Sequence, residues 1–420
     1  MMMDTFWNQE VEKETIQLMQ DLIRIRTINS EKNEILAVQY IAHLFKKAGI
    51  PYEVIESAPG RGNIIATIKG GTEKPIIMLS HLDVVDVDYK AWKHDPFAAV
   101  IDNDEIFGRG TLDTKQMTVM GLVTMLLVKR NQLNLNRDLI FIATADEENG
   151  SQYGMGFLSE KYAHLWENAY VLNEGGGFVL PNLNEKFRIC ASGEKGVCDI
   201  TFKLKKDQHL VMKLNRILEI VTTYQSDIVT CRVVNEFYRL AGQYINHDKT
   251  IQNLWQYMSH NTLTIKGFNI DLKDGDTKDE EQIVVTFRFL PIYSKEQVLT
   301  FIDERFKSCG ADYEVTKFIS GYESNIDDGF VKILQEVANQ YDTQARILPM
   351  IALGNTDGRF IGKDVYGYSP LLEQDSFDIV LQKVHGHNES ITVESLLYGT
   401  RVTLESVLTL ACGGWIGGQS

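Results

Sequence analysis

The chain is short of cysteine, proline and positive charge, and it has no long apolar run. Its five cysteines (Cys190, Cys198, Cys231, Cys309 and Cys412) are an odd number, widely spaced, with no Cys-x-x-Cys pair. That argues against a disulfide framework and against a cysteine-rich zinc site, and it fits a reducing compartment. Eight prolines are too scattered to mark a linker. Lys and Arg number 42 against 57 Asp and Glu, a formal charge of −15. A surface that acidic repels phosphate backbones and anionic lipid. The densest basic stretch, Lys203 to Lys206, reads as one strand with outward lysines, so neither a nucleic acid nor a membrane is expected as partner. No apolar run reaches the ~20 residues that span a bilayer. Met1 to Trp7 offers neither the basic nor the apolar region of a signal peptide. A soluble, cytoplasmic protein is expected.

What is present is an ordinary globular composition, 44% apolar and 24% charged, over 420 residues. At ~100–200 residues per domain, that length suggests two or three domains. Helical spacing of apolar residues appears at Val11–Ile25, Glu34–Ala48 and Met117–Arg130, and compact apolar strands at Asn63–Ile68, Pro75–Ser80, Leu139–Ala145 and Ala169–Leu172. Strands separated by helices imply a mostly parallel sheet flanked by helices, with ligands bound where the strands run out into loops. After about Glu194 the pattern changes. A strand at Val197–Lys205 and a helix at Leu210–Tyr224 precede two further helices, Val234–Ile245 and Thr250–Met258. Strands at Leu263–Leu272 and Gln282–Phe289 then flank the acidic loop Asp274–Glu281, and a helix (Lys295–Ser308) and a strand (Tyr313–Ile319) complete the segment. Without the extra helices this is the split β-α-β order of a ferredoxin-like α+β domain. The predicted organisation is an α/β domain over 1–194, an inserted domain over 195–321, and the rest of the first domain over 322–420.

Five polar clusters carry candidate chemistry. His81 and Asp83 follow an apolar strand two residues apart, so on extended chain they face the same way. The pair suits a metal-bound histidine oriented by a carboxylate, and equally a strand-end histidine satisfied by its neighbour. Asp113 lies in a glycine-rich turn before a long apolar helix, where a plain helix N-cap is the competing reading. Asp146-Glu147-Glu148 closes the strand Leu139–Ala145; three adjacent acids repel one another unless a cation or a base role uses them. Glu174 repeats the arrangement of apolar strand, carboxylate and glycines. His385 and His387 come ~200 residues later, just before the C-terminal helix, and alone they could be surface histidines. Together these clusters offer imidazoles and carboxylates without a nearby thiolate, a donor set for Zn, Mn or Co. The inventory fits two metals: His81, Asp113, Glu148, Glu174 and His385 as ligands, with Glu147 left over as a base.

The strings Ser80–Val85, Gly108–Lys115, Ala145–Gly150, Asn173–Gly177, Gly193–Gly196, Gly354–Arg359 and His385–Glu389 resemble, in order and spacing, the motif series of the dinuclear zinc aminoacylase/carboxypeptidase family. That family includes carboxypeptidase G, succinyl-diaminopimelate desuccinylase, acetylornithine deacetylase and aminoacylase. Asn-Glu-Gly-Gly-Gly at 173–177 and Trp-Lys-His-Asp-Pro-Phe at 92–97 look most like its branch of carboxypeptidase S and N-fatty-acyl-amino-acid synthase/hydrolase enzymes. The resemblance implies a zinc exopeptidase-like fold whose inserted domain is a lid that can also form a homodimer. It implies two divalent ions, zinc by family habit, bridged by Asp113. One would be held by His81 and Glu174, the other by Glu148 and His385. It further implies that Asp83 holds the His81 ring, that Glu147 is the general acid/base and that Arg359 grips a substrate carboxylate.

Two stretches depart from the family pattern. The lid histidine expected in a glycine-rich segment before a proline is matched only by His209, in Lys205-Lys206-Asp207-Gln208-His209-Leu210. A plain surface histidine reads as well there. The asparagine segment expected before Arg288-Phe289-Leu290-Pro291 is replaced by Asp274–Glu281. The expected activity is hydrolysis of an amide bond in a small peptide or N-acyl amino acid with a free carboxylate. A biosynthetic N-deacylase is the alternative enzyme. A silent binding protein on the same fold should have lost one of the ligands or Glu147, and none is lost.

Overall fold

The computed structural model describes residues 6–181, 183–269 and 280–413, so most of the acidic loop expected at Asp274–Glu281 lies outside the described residues. Two compact units emerge: Met1–Ser192 with Asn325–Pro349 and Thr356–Ser420, and Gly193–Ser324 with Met350–Asn355.

The first unit is built on a mixed sheet. Its neighbouring strands are Tyr52–Ala58, Arg61–Ile68, Arg137–Thr144, Glu73–His81, Tyr170–Asn173, Val365–Gly367 and Lys186–Glu194. Arg137–Thr144, Glu73–His81, Tyr170–Asn173 and Val365–Gly367 run parallel, and the strands outside them are antiparallel. The mostly parallel α/β architecture is therefore as expected. Ile76–Leu79 and Leu139–Ala143 are buried residue after residue, because a parallel strand covered on both faces has no wet side. The helix Lys115–Arg130 is buried from Lys115 to Val128 and packs against the helices Gln9–Arg24 and Val393–Ala411. Gly121 lets this helix lie on the sheet, since a Cβ there would come within 2.9 Å of the Phe141 ring.

Three of these strands were not apparent from the sequence, among them the three-residue Val365–Gly367. Tyr52–Ala58 is a mostly exposed edge strand without an apolar face. Lys186–Glu194 buries Arg188, Ser192 and Glu194, which break its hydrophobic run.

The second unit is an antiparallel four-stranded sheet in the order Thr262–Asn269, Glu280–Phe289, Gly196–Lys205, Asp312–Ile319. With the helices Leu210–Thr222 and Lys295–Phe306 this is the expected ferredoxin-like α+β arrangement. Ile283, Val285, Phe287 and Phe289 alternate inward to meet Ile200, Phe202, Ile302 and Phe306 in its core. The helices Arg232–Ala241 and Lys249–Ser259 fall between the first helix and the second strand. Among the described residues, no helix is long and apolar enough to cross a membrane.

Candidate metal centre

Three of the acidic clusters leave the carboxyl ends of adjacent parallel strands. His81 ends Glu73–His81, Glu147 and Glu148 follow Arg137–Thr144, and Glu174 follows Tyr170–Asn173. His81 pairs in register with Thr144, and Met78 with both Phe141 and Leu172, which brings the three exits together. Strand ends of this kind are where open α/β sheets bind ligands.

The loop before the buried helix adds Asp113, and the turn before the last helix adds His385. His81 Nε2 lies 3.1 Å from Asp113 Oδ1 and 3.5 Å from Glu174 Oε2. His385 Nε2 lies 3.0 Å from Asp113 Oδ2 and 3.1 Å from Glu148 Oε2. Two trios result, His81–Asp113–Glu174 and Asp113–Glu148–His385, and in each the ligand atoms are within 4.8 Å of one another. Asp113 serves both, one oxygen to each. His387 belongs to neither trio.

Backbone bonds fix these side chains. His81 Nδ1 donates to the carbonyl of Asp83 at 2.9 Å, which turns Nε2 toward the acids. The Asp83 carboxylate lies 3.6 Å from the same ring nitrogen and accepts the backbone N–H groups of Glu147 and Glu148, each at 3.0 Å. One buried aspartate therefore ties two strand exits together.

A second carboxylate, which sequence reasoning had left without a role, does the same for Asp113. Glu389 is fully buried and accepts from Arg109 Nη1 at 2.8 Å and from the N–H groups of Gly110, Leu112 and Asp113 at 3.1, 2.7 and 3.1 Å. The available signal was positional: a charged residue four places before Asp113 and another four places after His385.

The electrostatics are those of an acid cluster with no fixed counter-charge beyond imidazole. Among the described residues, no Lys or Arg pairs with Asp113, Glu147, Glu148 or Glu174. Burial pushes Glu148 up to about 7, helped by the Asp113 charge. Burial also raises Glu174. Glu147 is pushed well above the carboxylate range by its burial and by Glu174, Asp357 and Glu148 nearby. Hydrogen bonds to Asp113 and Glu148 lift His385 to about 10. Burial opposes ionisation of Asp113, but His385 and His81 outweigh it and hold its carboxyl low. Such a cluster is costly unless cations neutralise it. Glu148 Oε1 is buried with no hydrogen-bond partner among the described residues, as a ligand oxygen would be. The donor set, carboxylate and imidazole without thiolate, fits two divalent cations of the zinc, manganese or cobalt type.

Asp357 and Arg359 stand beside the acids. Asp357 accepts from Thr144 Oγ1 at 2.6 Å and Ser151 Oγ at 2.5 Å. Arg359 does not pair with it directly; its Nη2 donates to Ser151 Oγ at 3.3 Å. Arg359 is 8% exposed, and its Nε has no partner among the described residues. His209 lies in the second unit, exposed, at the N-terminus of the helix Leu210–Thr222, with its Nε2 3.2 Å from the Gln208 amide.

A helix-flanked, mostly parallel sheet that gathers two trios of candidate metal ligands on one shared aspartate fits the α/β metallohydrolases. The model of peptidase family M20/M25/M40 matches residues 77–409, and the chain belongs to that family. It is 26% identical over 373 residues to a probable succinyl-diaminopimelate desuccinylase of Staphylococcus aureus, covering 84% of this chain and 88% of the relative. It is 24% identical over 432 residues to the N-fatty-acyl-amino acid synthase/hydrolase of Homo sapiens, covering 90% and 83%. A solved M20 family metallo-carboxypeptidase of Sulfolobus solfataricus superposes with a TM-score of 0.71 at 17% identity, covering 94% of this chain and 98% of the other. This last likeness shows a common fold.

Proposed function

We propose that the protein hydrolyses an amide bond in a small peptide or N-acyl amino acid carrying a free carboxylate, using two divalent metal ions, zinc in the first instance. The observation that carries this reading is the pair of trios sharing Asp113, with Glu147 beside them and in neither. His81, Asp113 and Glu174 would hold one ion, and Asp113, Glu148 and His385 the other. When bound, such ions lower the pKa of water toward neutrality and polarise an amide carbonyl.

The chain's own residues do the rest. Glu147 takes the proton of the attacking water and returns it to the leaving nitrogen. Asp83 keeps His81 oriented, and Glu389 keeps the Asp113 loop in place. Arg359 anchors the substrate carboxylate through the donors that Ser151 leaves free, a role its unpartnered Nε supports. His209 is assigned to the lid as a donor to the developing oxyanion. On the same reading the second unit is the lid and the homodimer contact, and the five free cysteines suit a cytoplasmic location.

A biosynthetic N-deacylase is the second reading, favoured by the likeness to a probable desuccinylase. The deciding experiment uses wild type and Glu147→Gln, both loaded with zinc, against dipeptides and N-acetyl, N-succinyl and N-fatty-acyl amino acids. Wild type should turn over one class. The variant should keep the wild-type zinc content and lose at least about 100-fold in kcat. Turnover by Glu147→Gln near the wild-type rate would remove Glu147 as the base.

A further inference from the structure

Asn29 stands outside the ligand set, yet it joins two of the acids that shape it. Its segment is stitched beside the exit of the strand Glu73–His81. Val84 N–H donates to Thr27 O at 3.0 Å, Asn29 N–H to Val84 O at 2.9 Å, and Thr27 Oγ1 to Leu82 O at 2.6 Å. From that fixed backbone the Asn29 amide nitrogen reaches Asp83 Oδ2 at 2.8 Å and Asp146 Oδ1 at 3.2 Å. Its amide oxygen faces Arg61 Nη2 at 3.4 Å. Only one amide orientation satisfies these contacts, because carboxylates can only accept and a guanidinium can only donate.

Both carboxylates hold the turn that carries the proposed base, Asp146 from within it and Asp83 from the neighbouring strand exit. Asp83 holds the N–H groups of Glu147 and Glu148. Asp146 precedes them at φ +64°, left-handed backbone that is uncommon outside glycine but that aspartate tolerates better than most residues. Asp146 Oδ2 accepts Tyr153 N–H at 3.1 Å, and its Oδ1 lies 3.3 Å from Arg61 Nη2. Arg61 is in turn paired with the buried Glu34. Asn29 is thus the neutral piece between two buried acids of like charge, and it gives each of them a hydrogen bond.

We propose that Asn29 is a positioning residue that locks the 146–148 turn, and with it Glu147 and Glu148, into working geometry. The inference rests on the proposed function for its catalytic consequence, but not for its structural one. An aspartate at 29 has the same shape and no donors, so it sets a third carboxylate against Asp83 and Asp146; an alanine merely removes the bridge. A fall in kcat per folded chain with KM nearly unchanged, which a loss of bulk stability would not produce, marks positioning.

The test compares Asn29→Ala, Asn29→Asp and wild type by kcat and KM on the substrate class found above, by zinc affinity in competition with a chelating dye, and by crystal structures. Kcat should fall about 10–100-fold in Asn29→Ala and further in Asn29→Asp, with KM within about threefold and zinc bound at least about tenfold more weakly. Kcat and zinc affinity within twofold of wild type in both variants would overturn the proposal. If wild type itself takes up no zinc, the proposed function fails. The crystal structure of Asn29→Asp then decides the positioning claim: a displaced 146–148 turn upholds it, and an unmoved turn overturns it.

Discussion

Replacing Glu389 tests how the centre is held together, and the bonds to this residue set the size of the effect. In Glu389→Ala, Arg109 remains buried without its partner. Losing one member of a buried ion pair costs about 3–5 kcal/mol. The N–H groups of Gly110, Leu112 and Asp113 lose their acceptor as well, at about 1–3 kcal/mol for each that stays dry. Relaxation and entering water recover part of this, so a loss of about 5 kcal/mol is the working figure. In a unit of this size, that corresponds to about 10 °C or more in Tm. Arg109→Leu should cost less, about 1–3 kcal/mol, because the carboxylate keeps its three backbone donors. Combining the two changes should recover the unpaired-charge share of the Glu389→Ala loss while leaving the backbone share. Calorimetry of the four proteins, with zinc content measured on the same samples, reads all of this. Glu389→Ala melting within about 2 °C of wild type with undiminished zinc would refute the argument that this carboxylate organises the Asp113 loop.

Further outcomes follow from the same geometry. Glu174→Ala and His385→Ala each remove one member of a different trio, so elemental analysis should find roughly one zinc per chain in place of two, in contrast to Glu147→Gln. Chelation should lower the Tm of wild type and zinc should restore it, by about 2.7 kcal/mol once free zinc exceeds Kd a hundredfold. No Tm response to zinc would count against the ligand assignment. In the second unit, burial depresses Lys195 to about 7, with the Arg288 charge adding to it, while its Nζ donates to His260 O at 2.6 Å. A folded-state pKa below the unfolded value of about 10.5 means that the unfolded chain holds more protons between pH 7 and 10.5, so stability rises with pH in that window. From pH 7 to 8.5 wild type should gain up to about 2 kcal/mol relative to Lys195→Met, measured by urea unfolding. Equal pH slopes would show that Lys195 stays charged, held by the Tyr257 ring 4.2 Å away.

The residues that converge into the two trios were legible because each follows an apolar strand or precedes a buried helix, and both leave strong patterns. His81, Glu148 and Glu174 could be placed at strand exits because Ile76–Leu79 and Leu139–Ala143 are dry on both faces. The inserted sheet was legible for the opposite reason, since Ile283, Val285, Phe287 and Phe289 alternate over a surface buried on one side. Apart from Asp83 beside His81, the residues that support these side chains were hidden. Asn29 and Asp146 are 117 residues apart, Ser151 and Arg359 208, Arg109 and Glu389 280. No local period encodes such pairs, because hydrogen bonding between distant side chains sets no spacing along the chain. The edge strand Tyr52–Ala58 was hidden for want of a buried face.

The insertion also imposes an order of events during synthesis. The first unit is interrupted by Gly193–Ser324, so Arg109 and Glu389 leave the ribosome 280 residues apart. At about 5–20 residues per second, that delay is roughly a quarter-minute to a minute. From Glu174 onward the nascent chain carries His81, Asp113 and Glu174, one complete trio, while Glu148 waits for His385 and the Asp113 loop waits for its carboxylate cradle. Sheet assembly waits too, because Val365–Gly367 must pair between Tyr170–Asn173 and Lys186–Glu194, both made long before it. The trio of Asp113, Glu148 and His385 is therefore complete only after the whole segment Gly193–Ser324 has been made.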